Sequence, residues 1–254
     1  MDALTYFKNA EREHRTFVSR RYVIIRLDGK AFHSYTRGLD RPVDAQLVSA
    51  MDQTATFLCQ EVSGVIFAYT QSDEISLVID TFDRHGNFEP WLGGGIQKLA
   101  SITASMATAQ FNRVRMEQGF TDKVAYFDAR TMDFDDLHDV AAYCDWRRSD
   151  AIKNSVSMAA YAIFPESKLD GKNTSERMSM LFNTKNQWGN LPEGFRFGRF
   201  THKAYRQEWV TFVHGKTKEE ESVLVWRSNW VTTPATCGFN TDLIVERPEE
   251  AKIA

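Results

Sequence analysis

Apolar residues in the first half of the chain alternate between short strand-like runs and longer helical patterns. Residues 22–27 (YVIIRL) are rich in β-branched and aromatic side chains and end at Asp28-Gly29, which predicts a strand followed by a turn. From Pro42 the apolar positions recur every three or four residues until Gly64. This pattern predicts a helix of about 20 residues with Pro42 in its first turn.

The following segments predict a hairpin, a second long helix and a fourth strand. The runs 65–70 (VIFAYT) and 74–79 (EISLVI) flank a short polar turn, as in a β-hairpin. A helical pattern extends from about Ile96 to Met116 and stops at Gly119, and 123–129 (KVAYFDA) predicts the next strand. The order βαββαβ predicts an α+β protein of the ferredoxin-like class.

This topology brings two distant aspartates to one place. The right-handed crossover leaves a gap between the first two strands, and the third strand inserts antiparallel to the first. The end of the first strand therefore lies beside the turn of the hairpin. We expect Asp28 and Asp73 to face the same point.

After residue 135 the pattern changes. Asp135 and Asp136 predict the cap of a helix that continues to Pro165. Beyond it, MSMLF predicts a short helix, and FRFGRF, EWVTFVHG and ESVLVWRSNWV predict strands of a second, smaller β element. We therefore predict two regions, 1–135 and 136–254, with the second packed on the first. The tail 246–254 is expected to be loosely ordered.

Composition and charge narrow the function classes. The chain has 254 residues, is 43% hydrophobic and carries a net charge of −3, which disfavours a protein that coats nucleic acid unselectively. No stretch approaches the ~18 uninterrupted apolar residues of a membrane span, and the first residues lack a signal pattern, so cytoplasmic residence is expected. Cys59, Cys144 and Cys237 lie far apart, which favours unpaired thiols over a disulfide framework.

Any RNA contact must then come from a local patch. Residues 195–206 (FRFGRFTHKAYR) interleave basic and aromatic side chains. This mixture is able to contact phosphates and stack on unpaired bases. The alternative interpretation is an exposed strand pair with alternating faces.

Two aspartates at adjacent strand ends are what a two-metal nucleotidyl-transfer site requires, because hard divalent ions prefer oxygen ligands. The alternative is that Asp28-Gly29 and Ser72-Asp73 are ordinary turns. Gly29 and the following residues 30–33 would allow backbone amides to approach a triphosphate. Four cations are candidate phosphate partners or solvated surface groups: Arg26, Lys30, Arg41 and Lys98.

Four segments resemble, in order and spacing, the motifs of the tRNA-histidine guanylyltransferase family. They are RLDGKAFH (26–33), FAYTQSDEISLV (67–78), FDAR (127–130) and WRRSDAIKNS (146–155). The chain is more similar to the guanylyltransferase-like branch, because Ile152 stands where the eukaryotic enzymes have a histidine. This departure favours templated repair of truncated tRNA 5′ ends over obligatory tRNA-histidine specificity.

The resemblance implies a polymerase-type palm in 1–135 that works in the 3′-to-5′ direction with two magnesium ions. The implied metal ligands are Asp28, Asp73 and the Gly29 carbonyl. The implied nucleotide-binding positions are Gly29, Lys30, Ala31, Phe32, His33, Arg41, Asp44, Ser72 and Lys98. The motif positions whose roles stay unassigned are Arg26, Glu74, Asp128, Arg130, Arg147, Asp150 and Asn154.

The implied reaction begins when ATP or GTP activates a tRNA 5′-monophosphate. The 3′-hydroxyl of an incoming nucleotide, usually GTP, then attacks that phosphate, and base pairing selects the nucleotide. The resemblance also implies a homotetramer with tRNA spanning the subunits.

Two alternatives remain open from the sequence. A nucleotide cyclase would share the palm and both aspartates but leaves the WRRSD motif unexplained. A ferredoxin-like RNA-binding module would leave Asp28 and Asp73 unexplained.

Overall fold

The structure is a computed structural model that describes residues 17–83, 85–213, 215, 218–240 and 243–244. The strands are β1 (Tyr22–Gly29), β2 (Val65–Gln71), β3 (Glu74–Asp80), β4 (Phe127–Phe134), β5 (Arg199–Val213) and β6 (Glu220–Pro234). The α-helices are α1 (Phe32–Tyr35), α2 (Ala45–Glu61), α3 (Ile96–Glu117), α4 (Leu137–Tyr161), α5 (Glu166–Leu169), α6 (Thr174–Leu181) and α7 (Glu193–Phe197). The tail 246–254 lies outside the described residues.

The strands form one six-stranded sheet in the order β4-β1-β3-β2-β5-β6. Strand β1 is antiparallel to both of its neighbours, β3 and β4. The first four strands, with α2 and α3 as connections, therefore form the predicted βαββαβ unit. The predicted fold class is confirmed.

The alternation of side chains along β1 divides the core into two layers. Ile25 and Leu27 pack in the cluster that contains α2 and α3, whereas Ile24 packs on the opposite face with Tyr143 of α4. All three of these β1 side chains are fully buried. Complete burial of one such aliphatic side chain contributes about 1.5–3 kcal/mol, so both faces of the sheet help to hold β1 in place.

Two elements begin later than the sequence predicts. Helix α2 starts at Ala45 because the Asp44 carboxylate caps it, accepting a hydrogen bond from the Leu47 amide at 2.7 Å. Strand β4 starts at Phe127 and not at residue 123. The backbone of Ala125 is instead satisfied by the Asn112 side chain of α3, which accepts from its N–H at 2.9 Å and donates to its carbonyl at 2.8 Å.

The C-terminal strands are not a separate β element, so that prediction is wrong. Strand β5 pairs with β2 from Phe67–His202 to Thr70–Arg199, and β6 pairs along the whole of β5. They extend the same sheet as a long hairpin. Residues 195–197, predicted as a strand, belong to α7, and Gly198 with a φ of 78° separates that helix from β5. The division at residue 135 stays a prediction.

Helices α4, α5 and α6 pack around a third, smaller apolar cluster that includes Val156, Leu169 and Leu181. The predicted helix at MSMLF is present in α6, which begins with a capping box between Asn173 and Glu176. All helices among the described residues are too short or too polar to cross a lipid bilayer. The three cysteines are unpaired, as expected.

Candidate active site

Asp28 and Asp73 come together at the ends of β1, β2 and β3. In the β1–β3 register Asp28 lies opposite Glu74, and the Gly29 amide donates to the Asp73 carbonyl at 3.1 Å. Ser72, with a φ of 46°, forms the tight turn between β2 and β3. The βαββαβ topology thus places the two aspartates side by side, as we expected from the strand order.

The surroundings of Asp73 disfavour its negative charge. The pKa of Asp73 is raised to about 6, mainly by burial and to a smaller extent by the charges of Asp28 and Glu74, while a hydrogen bond from the Ser72 side chain opposes the shift. Neither Asp28 nor Asp73 forms an ion pair with another described residue. A divalent cation relieves this kind of carboxylate repulsion.

Glu74 is buried beside these aspartates, yet its charge is compensated within the protein. Arg147 of α4 donates from Nε and Nη2 to its two carboxylate oxygens at 2.7 and 2.6 Å. Both side chains are only 8% exposed. Arg147 also contacts Asp150 at 3.1 Å. The geometry is the bidentate pairing that makes an arginine–carboxylate contact strong, and it gives partners to three motif positions of unassigned role.

Two cross-strand pairs of like charge, one acidic and one basic, lie on the same face of the sheet. Asp128 of β4 lies opposite Asp28, and two pairs further along Arg130 lies opposite Arg26. Like charges directly opposite one another destabilise a strand pair. The Arg26 Nε is buried without a hydrogen-bond partner among the described residues. A pair of arginines thus lies next to a pair of aspartates on this face of the sheet.

A cavity of about 420 Å³ opens beside Asp73, between α1, the loop before α2 and the end of α4. It is lined by Phe32, His33, Thr36, Leu39, Asp40, Arg41, Pro42, Asp44, Leu47, Ser72, Asp73, Met158 and Tyr161. This set includes five of the nine predicted nucleotide-binding residues together with Asp73. A smaller cavity of about 60 Å³, lined in part by Gln71 and Asn154, shares several of these lining residues. Concave sites with apolar walls and a few polar groups are typical of small-ligand binding.

Lys30 and Ala31 line a separate depression of about 280 Å³ together with Lys123. Lys98 is exposed in the first turn of α3, whereas Arg115, near the other end of that helix, contacts Tyr35 of α1 at 3.3 Å. With a rise of 1.5 Å per residue, Lys98 lies about 25 Å along the helix from this contact. The structure does not bring Lys98 to the cavity.

The basic and aromatic stretch 195–206 is largely structural. Arg199 donates to Asp52 of α2 at 2.5 Å, and Phe200 is buried in the core. Burial raises the pKa of Asp52, and the nearby Arg199 opposes that shift. The interpretation of this stretch as an RNA contact is therefore wrong for Arg199 and Phe200.

Sequence reasoning missed Met158 and Tyr161, which close the cavity from α4. With Asn154 they follow the helical spacing of 0, 4 and 7 positions. This periodicity, applied beyond the last recognised motif residue, would have identified both. The loop residues Thr36, Leu39 and Asp40 carry no comparable signal.

A second acidic group lies away from the cavity at the start of α4. Ligand atoms of Asp136, His138 and Asp139 lie within 4.8 Å of one another, and all three residues are exposed. Asp136 already accepts from the Asp139 amide at 2.9 Å as the helix cap. This cluster is explained by helix capping.

Comparison with known proteins identifies the family. The sequence profile described as tRNAHis guanylyltransferase (Thg1) matches residues 4–135, more than half of the chain. The chain belongs to this family. The resemblance to the Thg1 family is thereby confirmed, and three of the four motifs lie within the matched residues. The chain is a nucleotidyltransferase of a family that adds nucleotides to tRNA 5′ ends.

Solved Thg1-like structures have the same fold. A bacterial tRNA(His) guanylyltransferase-like protein in complex with ATP is 34% identical, with a TM-score of 0.79 over 92% of this chain and 93% of that one. A bacterial Thg1-like protein in complex with GTP is 31% identical, with a TM-score of 0.70 and 92% of both chains covered. A probable tRNA(His) guanylyltransferase of Dictyostelium discoideum is 26% identical over 80% of this chain and 83% of its own length.

Proposed function

We propose that this enzyme adds nucleotides, usually G, to tRNA 5′ ends in the 3′-to-5′ direction, with the opposite tRNA strand as template. The observation that carries the proposal is the meeting of Asp28 and Asp73 beside a cavity lined by His33, Arg41 and Ser72. The ATP and GTP complexes of the bacterial relatives support nucleoside triphosphates as its ligands. Repair of truncated tRNAs is the role that Ile152 favours.

The residues present suit magnesium. Asp73 is a partly buried carboxylate beside the carboxylate of Asp28, and both offer the oxygen ligands that Mg²⁺ prefers. We assign Asp28, Asp73 and the Gly29 carbonyl as the ligands of two ions. When bound, Mg²⁺ polarises an attacking hydroxyl and neutralises charge on the reacting phosphate.

The protein's own groups bind and orient the nucleotide. The backbone amides of 31–33, the Ser72 hydroxyl and the Arg41 guanidinium hold the triphosphate, whose charge attracts these donors. The predicted contribution of the Lys30 amide is not retained, because this amide donates to the Tyr126 carbonyl at 2.8 Å. Leu47, Met158 and Tyr161 line the same cavity and exclude water from the reacting groups. The reaction proceeds in two stages. The tRNA 5′-monophosphate first attacks the α-phosphate of ATP or GTP, which forms the nucleotidyl adduct and releases pyrophosphate. The 3′-hydroxyl of the incoming nucleotide then attacks the activated 5′-phosphate, which forms the new phosphodiester bond and releases AMP or GMP.

The test is incorporation of labelled GTP into a tRNA that lacks its first nucleotide, in the presence of magnesium. We expect templated 5′ extension by the wild type, and a loss of at least about 100-fold for Asp73→Ala, because charge stabilisation at phosphorus is the protein's main contribution. Asp139→Ala, from the exposed acidic cluster of α4, is the matched control and should retain activity.

Two other outcomes would contradict the proposal. RNA binding without metal or incorporation would indicate a binding module, and label in a cyclic nucleotide would indicate a cyclase. The homotetramer and cytoplasmic residence stay predictions; light scattering of the purified protein tests the first, and imaging of a tagged chain in its host cells tests the second.

A further inference from the structure

Lys123 makes an unusual set of contacts with the end of α1. Its Nζ donates to the carbonyl oxygens of Ser34, Tyr35 and Arg37 at 3.2, 2.9 and 2.9 Å. The last carbonyl groups of a helix receive no hydrogen bond from an N–H of the same helix, so they need donors from elsewhere. A positive charge at this end also complements the helix dipole. Lys123 therefore caps α1 from a different part of the chain.

The segment that carries Lys123 is itself fixed to α3. Besides the two hydrogen bonds between Asn112 and Ala125, the Phe127 amide donates to Thr108 Oγ1 at 3.1 Å. On its other side the Tyr126 carbonyl accepts from the Lys30 amide at 2.8 Å. Residues 123–127, here called the brace, thus connect a 22-residue helix to residues 30–37, here called the phosphate loop.

The phosphate loop needs such external support. Its helix has only four residues and starts after Ala31, whose φ of 53° is unfavourable for a residue with a Cβ. Phe32 fixes the start of the helix by packing on Phe111 and Phe127, with ring centroids 5.6 and 5.4 Å away. The end of the helix rests on Lys123.

Lys123 lies on a different side of the loop from the proposed nucleotide. It lines the depression shared with Lys30 and Tyr126, whereas His33 and Phe32 line the 420 Å³ cavity beside Asp73. Its ammonium is already surrounded by three carbonyls. Any influence on the nucleotide must therefore pass through the loop.

We propose that Lys123 is a positioning residue for nucleotide binding, which holds the phosphate loop in the conformation that presents its backbone amides and His33 to the triphosphate. The inference rests on the proposed function of this cavity. A loop that is already ordered loses less conformational entropy when its ligand binds. Without the Lys123 contacts, part of the free energy of nucleotide binding is used to order the loop.

The first experiment compares GTP affinity and steady-state kinetics in magnesium for three variants. For Lys123→Met we expect GTP affinity to fall about 10-fold and KM to rise by a similar factor, with kcat within about 2-fold of the wild type, since the reacting groups are unchanged. Lys123→Arg keeps charge and donors and should restore affinity to within about 3-fold. Lys168→Met removes an exposed lysine of α5 and is the control.

Hydrogen exchange measures the loop directly, without nucleotide. Peptides covering 30–37 should exchange faster in Lys123→Met than in the wild type, while those of β1 and α2 stay unchanged. If Lys123→Met does not fold, the same comparison is made with Lys123→Gln, which keeps an N–H donor but removes the charge.

Unchanged GTP affinity in Lys123→Met would overturn the inference. Weaker affinity with unchanged exchange at 30–37 would also overturn it, since Lys123 would then act directly through its charge. If the wild type binds no GTP, the proposed function fails, and the exchange comparison still decides whether Lys123 orders the loop.

Discussion

Replacement of Arg147 by methionine tests how the buried Glu74 is tolerated. The variant removes both hydrogen bonds to the Glu74 carboxylate, at 2.7 and 2.6 Å, but keeps an apolar side chain of similar length. Glu74 then stays buried without its cation. Because removal of one partner of a buried ion pair costs about 3–5 kcal/mol, we expect the free energy of unfolding to fall by that amount.

Urea denaturation monitored by circular dichroism measures this change. With a slope of about 2–3 kcal/mol per molar urea, the midpoint should fall by about 1–2.5 M. The double variant Glu74→Met, Arg147→Met removes both charges and should be less destabilised than Arg147→Met alone, since an apolar pair of similar volume is tolerated better than one unpaired charge. Together with the single variant Glu74→Met, these measurements complete a double-mutant cycle, which gives the coupling energy between the two residues.

Additive effects in the double variant, or a loss below about 1 kcal/mol in Arg147→Met, would refute the reasoning, because either result would mean that solvent screens the pair as it does at a surface. Arg206→Met is the matched control. Its contact with Glu208 at 3.5 Å joins side chains that are 70% and 47% exposed. Its removal should change stability by less than about 0.5 kcal/mol.

Three further predictions follow from the structure. The pKa of Asp73 in the folded protein, about 6, lies above its ordinary value of 3.8. With a metal chelator present, the free energy of unfolding should therefore fall as pH rises from about 4 to 6. Asp73→Asn should remove this pH dependence in urea titrations. A Cβ at Gly29 would overlap the Phe32 ring. Gly29→Ala should therefore destabilise the protein by about 1–3 kcal/mol in thermal unfolding. Gly189→Ala is the control, because a Cβ at Gly189 meets no other atom within 4 Å. Native protein should react with a thiol reagent at exposed Cys237 alone, because the other two thiols are buried and react only in denaturant.

Local pattern predicted the elements that the site depends on. β-Branched residues and turn chemistry located β1 and the β2–β3 hairpin, and the helical spacing located α3 from Ile96. Strand order then predicted that Asp28 and Asp73 meet, since the topology determines which strand ends are neighbours. This inference needed no knowledge of individual contacts.

The misplaced start of β4 has a specific cause. Residues 123–126 have the composition of a strand, but the Asn112 side chain hydrogen-bonds both the N–H and the carbonyl of Ala125 and so competes with the sheet. Such tertiary contacts override local propensity. They leave no mark in the sequence near residue 123.

The sequence also did not reveal which residues pair with Glu74 and Arg199. Arg147 is 73 positions from Glu74, and Arg199 is 147 positions from Asp52. Each pairing depends on how a helix packs on the sheet, which periodicity alone does not determine. The sequence placed charged residues in apolar surroundings without indicating what neutralises them.

The pairing of β2 with β5 has a consequence for biosynthesis. A ribosome releases β2 long before it makes β5, so the nascent β2 has an open edge and an uncovered aromatic face at Phe67 and Tyr69 until Phe200 arrives. Non-local strand pairing of this kind slows folding, and the apolar surface stays exposed until the strands pair. A chain that ends before Arg199 therefore leaves this edge and this aromatic face uncovered, and both features favour pairing with other chains.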